Sequence, residues 1–568
     1  MIILKISNKK GASGVKKKYV YSLFAVCSLV LAGCTTGQTQ DSSEGGGEGA
    51  SGTSGNEYTF IERQEMPTAD LSQATDTVSF SALNNVYEGM YRLDENDEPQ
   101  PAGAAEEAEV SEDGLTYTVQ LREDATWSNG DPVTADDYVY GWQRTVDPET
   151  ASEFAYIYEP VENAQAVMDG DADLDELGIE ATDEYELEIT LERPTEYFDN
   201  LLAFPVFFPQ NEEVVEENGD DYAQTSDNMV YNGPFVLADF DGPGSDTEWA
   251  YDKNEDYWDA DNVSLDRVNV NVVKEASTAL NLFQDGQADE ITLSGELAQQ
   301  MANDPDYLTV PQASTFYMEM NQEDEDSPFA NENFRKAISY SIDREALVNS
   351  VLADGSIEPS GLVPSDMSEN PETGDDFTED AGSQIEYDQE QAQEYWEQAQ
   401  EELGEDSLEI DLLADDTDNS RRAQEFLQES IQDSLDGVSV SLSPVPFSVR
   451  LDRSTSGDFD MALSGWGADY ADPSAFLDLF QTDTSNNHGH YSNEDYDQQI
   501  DEATNENAND PEARWDNLVE AENIIMEEQG VVPLYQNAEA HLRADRVNGL
   551  VTHPTGAQYD YKWVTIDE

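Results

Sequence analysis

The stretch LEIDLLADDTDNSRRAQEFLQESIQDSLDGVSVSLSP, residues 408–444, decides the fold class. Residues 408–414 and 438–444 have strand length and alternate apolar with polar side chains over most of it. Between them, residues 420–437 carry apolar side chains at helical spacing and end at Gly437. A strand, a helix and a second strand in this order form a βαβ unit, whose two strands run parallel. The segment therefore predicts an α/β protein with a partly parallel sheet.

Similar patterns recur on both sides of this segment. Residues 388–404 place apolar side chains on one helical face, with Asp388 as the capping residue and Gly404 directly beyond the end. Three alternating patterns that predict strands, and one more helical pattern, lie at 112–124, 183–193, 264–273 and 275–286. No internal repeat is present, so we predict mixed α/β structure.

The composition sets bounds on the partners and the environment. The 568 residues include 125 acidic and 25 basic side chains, for a formal charge of −100. A field of this sign repels phosphates, which excludes nucleic-acid binding. Aromatic residues make up 10% of the chain, which favours a packed core over a disordered acidic tail. Because such a charge destabilises a compact state unless salt screens it, we interpret the surface as a halophilic adaptation.

The N-terminus predicts an exported and anchored protein. Three lysines at 16–18 precede an apolar run at 19–31, which is too short to span a bilayer and suits a signal peptide covering 1–33. The run ends in Leu-Ala-Gly-Cys34, which resembles the lipobox of bacterial lipoproteins, so Cys34 is the expected lipidation site. Residues 34–57 are polar and glycine-rich, as in a flexible linker. We therefore expect lipid anchoring on the extracellular face of the cytoplasmic membrane; an unanchored secreted protein is the alternative.

Motifs for catalysis are scarce. None of the four histidines lies in H-E-x-x-H, and no G-x-S-x-G or Walker sequence occurs. His488 and His490 flank a glycine but lack further ligands for a metal. We therefore expect no enzyme activity, no cofactor and no metal site. A secreted hydrolase with paired carboxylates stays open as a remote alternative, because 125 acids offer many pairs.

A long motif then points to a family. LREDATWSNGDPVTADDYVYGWQRTVDPETAS, residues 121–152, resembles the signature of the peptide/nickel family of extracellular solute-binding proteins that serve ABC importers. The similarity is greatest to the oligopeptide-binding branch and extends over 58–568. Further segments that resemble the family, in the same order along the chain, are 75–94, 231–240, 254–268, 327–348 and 459–482.

The resemblance implies a fold and a domain organisation. The fold is a two-lobed clamp like that of periplasmic binding proteins, with an extra third module and mixed sheets. Residues 96–227 would form the additional module packed on lobe I, and 316–537 would form lobe II. Lobe I would be assembled from the three segments 58–95, 228–315 and 538–568. We expect a monomer.

The resemblance also implies a function. Such a lipoprotein captures extracellular oligopeptides and delivers them to the membrane subunits of an ABC permease. The peptide would be buried between the lobes and hydrogen-bonded like an added strand. Other solutes of the same family, such as a nickel chelate, haem, a sugar or a signalling peptide, remain the alternative.

Asp469, in SGWGADYADPSAF at 464–476, is the main candidate for ligand binding. In peptide-binding relatives the aspartate of the Gly-Trp-x-Ala-Asp-Tyr motif pairs with the α-ammonium of the peptide. Asp469 could instead cap the next helix, but Asp472 already supplies a cap for it. The rest of the motif would let the peptide backbone approach and form an apolar wall, through Gly465, Trp466, Gly467 and Tyr470.

Four further residues are weaker candidates for ligand binding. Tyr317 and Asn321 match a crossover segment near the cleft, Tyr535 lies in the returning crossover, and Phe447 stands where some relatives place a cleft tryptophan. Some short-peptide binders have an arginine at the position of Leu463 that can anchor the peptide carboxylate. Its absence here favours longer peptides or peptides of variable length.

Overall fold

The computed structural model describes residues 56–195, 197–323, 327–383 and 385–567. The predicted signal peptide, Cys34 and all but the end of the predicted linker lie outside these residues. The linker prediction extends slightly too far, because the first strand already begins at Glu57. No helix in the described ranges is long and apolar enough to cross a membrane.

The described residues contain twenty strands. They are β1 (Glu57–Glu62), β2 (Tyr91–Leu93), β3 (Pro99–Pro101), β4 (Glu109–Val110), β5 (Thr116–Gln120), β6 (Ile179–Asp183), β7 (Glu186–Thr190), β8 (Phe235–Ala238), β9 (Glu248–Lys253), β10 (Arg267–Val272), β11 (Glu290–Leu293), β12 (Tyr307–Met320), β13 (Leu408–Asp415), β14 (Val438–Val445), β15 (Met461–Gly467), β16 (Val532–Arg543), β17 (Val547–Asn548), β18 (Val551–Thr552), β19 (Tyr559–Asp560) and β20 (Thr565–Ile566).

Sixteen α-helices accompany them in the same part of the chain. They are α1 (Thr77–Val86), α2 (Ala135–Val146), α3 (Ala164–Met168), α4 (Phe198–Leu201), α5 (Glu212–Asn218), α6 (Ala276–Gln284), α7 (Gly295–Met301), α8 (Glu332–Tyr340), α9 (Arg344–Ala346), α10 (Phe377–Ala381), α11 (Gln389–Leu403), α12 (Asp418–Ser434), α13 (Phe447–Thr455), α14 (Ser474–Leu477), α15 (Glu494–Asp501) and α16 (Pro511–Glu528).

Ten strands form one central mixed sheet in the order β14-β13-β15-β12-β16-β11-β1-β10-β9-β8. The β13-α12-β14 unit is the predicted βαβ unit, and its strands are parallel with Leu408 opposite Val438. Strand β13 is also parallel to β15, and β1 is parallel to β10 and β11. The other neighbours in this sheet are antiparallel. The expected α/β architecture with mixed sheets is confirmed.

Local capping explains where several elements begin and end. The Asp388 side chain accepts hydrogen bonds from the N–H groups of Glu390 and Gln391, the second and third residues of α11, and Gly404 follows the helix in the left-handed region at φ 75°. Both agree with the prediction. Helix α12 begins at Asp418, two residues earlier than expected, because Thr417 accepts a hydrogen bond from the N–H of Ser420.

The two long strands β12 and β16 lie side by side in the middle of the central sheet. Their pairing register shifts between Pro311 and Thr315 and again between Phe316 and Tyr317. From Ser314 to Met320, the other edge of β12 pairs with β15, the strand that carries the Gly-Trp motif. The predicted lobe boundaries at 315/316 and 537/538 fall in this region and remain predictions.

A second sheet and two apolar cores complete the fold. Strands β4, β5, β7 and β6 form a separate four-stranded antiparallel sheet within residues 96–227. One apolar core combines side chains of 58–270 with side chains of 468–564, whereas a second core draws on residues between Met318 and Tyr535. The first core thus joins the segment of the antiparallel sheet to the chain that follows β15.

Candidate functional site

Asp469 lies in a turn that begins directly after β15. The N–H of Ala468 donates to the carbonyl of Ala313 at 2.8 Å, and the carbonyl of Ala468 accepts from the N–H of Gly556 at 2.7 Å. Backbone groups before Asp469 are thus bonded to β12 on one side and to the C-terminal region on the other. The turn therefore holds the carboxylate in a fixed place.

The carboxylate of Asp469 is buried, and no cation of the described residues pairs with it. The residue is 9% exposed, and the Tyr156 hydroxyl donates to Oδ2 at a long 3.4 Å. Burial raises the pKa of Asp469 to about 8, and the hydrogen bond from Tyr156 lowers this pKa only in part. No Lys, Arg or His of the described residues contributes to the shift. A cation placed beside this carboxyl would favour its ionised form and pair with it.

Two aromatic stacks flank Asp469 in the chain. The ring of Trp466 stacks on Phe154 with centroids 5.6 Å apart, and Tyr470 stacks on Tyr197 at 4.2 Å. The indole N–H of Trp466 is buried and finds no hydrogen-bond partner among the described residues. The predicted wall residues Trp466 and Tyr470 are therefore in place, and both pack on the segment that also supplies Tyr156.

The two glycines of the motif differ in their surroundings. A Cβ added at Gly465 would lie 2.9 Å from the ring of Phe316, which itself stacks on Tyr535 at 4.8 Å. An internal aromatic pair therefore requires Gly465 to lack a side chain. At Gly467 the nearest atom, on Ser314, would be 3.7 Å from the added Cβ, an ordinary contact. Close approach of a ligand backbone to these glycines remains a prediction.

The weaker candidates are distributed over neighbouring elements. Tyr317 is buried on β12 with its ring edge-on to Phe480 at 5.6 Å, and Tyr535 is buried on β16. Phe447 is buried at the start of α13, where the Arg450 guanidinium lies 5.2 Å from its ring centroid. The structure thus brings Tyr535 close to Gly465 through Phe316. Ligand roles for these side chains remain predictions.

Asn321 has a structural task that its sequence does not reveal. Its amide donates to the carbonyls of Gly457 and Phe459 at 3.0 and 3.2 Å, and its Oδ1 accepts from the N–H of Glu323. These bonds fix the loop that leads into β15. A ligand contact through Asn321 remains a prediction, and these bonds would compete with it.

Asp472 has the capping role that was expected of it. Its carboxylate accepts from the N–H of Ser474, the first residue of α14, at 3.0 Å and forms a bidentate ion pair with Arg514 at 2.7 and 2.8 Å. Burial alone would raise the pKa of Asp472, but the charge of Arg514 holds this pKa below its ordinary value. Asp469 is therefore not needed as the cap of this helix.

Sequence reasoning missed the partners of the motif, Phe154, Tyr156 and Tyr197. They lie more than 250 residues before Asp469 in the chain and outside the strand predicted at 183–193, at positions that no periodic pattern marks. In the ranges that the structure describes, no group of three or more His, Cys, Asp or Glu could hold a metal ion.

Comparison with known proteins identifies the family. A profile of the bacterial extracellular solute-binding proteins, family 5 (Middle), matches residues 98–488. The chain is 36% identical over 509 residues to a dipeptide-binding protein of Lactococcus lactis subsp. cremoris (strain MG1363), covering 88% of this chain and 92% of that protein.

Solved structures agree with this result. Listeria monocytogenes OppA bound to peptide superposes with a TM-score of 0.88 at 43% identity, covering 91% of this chain and 100% of that one. The pheromone receptor PrgZ superposes with a TM-score of 0.87 at 40% identity, with the same coverage. These similarities confirm the expected fold and the expected family. With its fold, its motif and its relatives in agreement, the chain belongs to the bacterial extracellular solute-binding proteins, family 5.

Proposed function

We propose that this protein captures extracellular oligopeptides and delivers them to the membrane subunits of an ABC-type import permease. The observation that carries the proposal is the buried carboxylate of Asp469, which is flanked in the chain by the stacked rings of Trp466 and Tyr470 and has no cationic partner among the described residues. Support comes from relatives described as a dipeptide-binding protein and as OppA bound to peptide.

The α-ammonium of the peptide supplies the missing charge. A buried carboxylate without a partner is unfavourable, and an ammonium in contact with it stabilises both ions in a site that excludes water. The Tyr156 hydroxyl already donates to Oδ2 and leaves the remaining acceptor positions of Asp469 for the ligand. Recognition through the amine and the backbone accepts many different peptide sequences.

The other end of the peptide has no fixed anchor at Leu463. This side chain is buried on β15 opposite Met318 of β12 and packs in the second core. An apolar side chain in this position cannot hold a carboxylate. We therefore propose that peptides of variable length are accepted.

The N-terminal segment anchors the protein to the membrane in this proposal. Cys34 carries a lipid that holds the monomeric protein at the outer face of the cytoplasmic membrane, and residues 35–56 act as the tether. The acidic surface suits a salty medium. Replacement of Cys34 by Ser is expected to release the protein into the culture medium, which immunoblotting of membrane and medium fractions would detect.

A titration tests the peptide-binding role. Protein lacking residues 1–34 is titrated by tryptophan fluorescence with a pool of free peptides and with the same pool N-acetylated. We expect saturable binding of the free pool and a loss of at least about 100-fold for Asp469→Asn, because a broken buried pair costs about 3–5 kcal/mol. Asp433→Asn, an exposed residue of α12, is the control.

The other outcomes are equally informative. Equal binding of both pools would remove the amine-pairing role of Asp469. Binding of neither pool would contradict the peptide proposal and direct the search to other solutes, such as nickel chelates or haem. Mass spectrometry of the recovered peptides would reveal any hydrolysis.

A further inference from the structure

A cavity of about 290 Å³ lies next to the turn that carries Asp469. Its walls come from the region around 193–197, from residues 367–371, from the chain after Asp469 and from α16. The residues that matter chemically are Arg193, Tyr197, Asp472, Asp478, Arg514 and Trp515. The cavity therefore has aromatic side chains and charges of both signs in its walls.

Both cations of the cavity are already neutralised. Arg514 forms its bidentate ion pair with Asp472, and Arg193 pairs with the carboxylate of Glu159. Neither guanidinium is therefore available as the main partner of an anionic ligand. The charge that remains in the cavity is negative.

Asp478 is a further acid of the cavity wall, beside Asp472 and the exposed Glu369. It forms no ion pair within the described residues, and its Oδ1 is buried without a hydrogen-bond partner there. Burial and then the charge of Glu159 raise the pKa of Asp478 to about 7, and the charges of Arg514 and Arg193 offset this only in part. A buried carboxylate of this kind gains from any cation brought beside it.

The cavity also adjoins the proposed amine site. Tyr197 lines the cavity and stacks on Tyr470, the residue after Asp469. After burial, the negative charges of Asp469 and Asp478 are the largest causes that raise the pKa of Tyr156. The hydroxyl of Tyr156 therefore lies within electrostatic reach of both carboxylates.

We propose that this cavity is a subsite for a cationic side chain, lysine or arginine, of the bound peptide. The inference rests on the proposed function and deepens it. The charged end of the side chain pairs with Asp478, and its methylene groups pack against Tyr197 and Trp515, whose ring faces also favour a cation. The subsite adds a preference for basic peptides to binding through the amine and the backbone.

A peptide series tests this subsite. Hexa-alanine is compared with peptides that carry lysine, norleucine or glutamate at position 1, 2 or 3, by calorimetry at pH 8 in about 1 M salt, where long-range steering is screened. At one position we expect lysine to bind at least about tenfold tighter than norleucine, equivalent to about 1.4 kcal/mol, and glutamate to bind more weakly than either.

Variants assign this preference to Asp478. Asp478→Asn is expected to reduce the lysine-to-norleucine ratio to about twofold or less, while Asp478→Glu and the exposed control Asp433→Asn retain it. Binding of hexa-alanine reports whether each variant is folded.

Two results would overturn the inference and leave the proposed function intact. One is equal affinity for lysine and norleucine at all three positions of the wild-type ligand series. The other is a lysine preference that survives in Asp478→Asn. If wild-type protein fails to bind hexa-alanine and all its derivatives, the proposed function and the subsite both fail.

Discussion

Replacing Asp469 with Asn should have two effects: it should stabilise the ligand-free protein, and it should weaken peptide binding strongly. Burial raises the pKa of Asp469 from its ordinary value of 3.8 to about 8. In the unfolded chain this carboxyl ionises near pH 4, whereas in the folded chain it stays protonated up to about pH 8. The free energy of unfolding therefore falls as the pH rises between these values. An asparagine carries no such cost.

The expected stabilisation by Asp469→Asn follows from the size of the pKa shift of Asp469. Between pH 4 and pH 7 the cost grows over about three pH units at about 1.4 kcal/mol each, which gives about 4 kcal/mol at pH 7. With about 2.1 cal/mol/K of unfolding entropy per residue and roughly 500 folded residues, this corresponds to a rise in Tm of about 4 °C. At pH 4 the two proteins should melt together.

Thermal unfolding of peptide-free protein at pH 4, 5, 6 and 7 measures this difference. Asp472→Asn, in the same turn, is a control whose Tm at pH 7 should change in the opposite direction. It breaks the ion pair with Arg514 and should therefore lower the Tm. If Asp469→Asn lowered the Tm at pH 7, or shifted it equally at every pH, Asp469 would have a structural role and our reasoning would be wrong.

Three further predictions concern the framework of the site. Burial alone would lower the pKa of His541, but two flanking carboxylates raise this pKa to about 9. The charged imidazole therefore contributes fully to the free energy of unfolding below about pH 6.5, and this contribution is lost as the pH rises through 9. The Tm of His541→Gln should thus fall less than that of the wild type between pH 7 and 10. Gly465→Ala should destabilise the fold by about 1–3 kcal/mol through overpacking, and Gly467→Ala should leave the Tm unchanged. Arg92→Met should cost about 3–5 kcal/mol in denaturant unfolding because it leaves Asp560 buried without its partner, and Asp560→Asn added to it should recover part of the loss.

Local patterns in the sequence were sufficient for the elements that are capped or periodic. Asp388 and Gly404 bound α11 as expected, since capping depends on residues within one turn of the helix end. The strand predicted within 112–124 forms at Thr116–Gln120, and Gly114 turns the chain with φ 73° just before it. The first strand, Glu57–Glu62, was not predicted, since its pairing partners follow more than 200 residues later.

The site was predictable only in part for a similar reason. The family motif led to Asp469, but nothing near it in the sequence indicates Tyr156 or the stacking partners Phe154 and Tyr197. Asp478 is one acid among 125, and only its burial and its lack of a partner distinguish it from the solvated ones. The role of Gly465 also required the structure, because Phe316 belongs to another strand.

The ring pairs around Asp469 have a kinetic consequence. We expect a ligand amine to reach this carboxylate after Trp466 has separated from Phe154 or Tyr470 from Tyr197. The rate of association is then limited by this separation and not by diffusion through the field of a chain with a formal charge of −100. We therefore expect association rates that are slow and nearly independent of salt concentration, and long residence times once the rings have closed over the peptide.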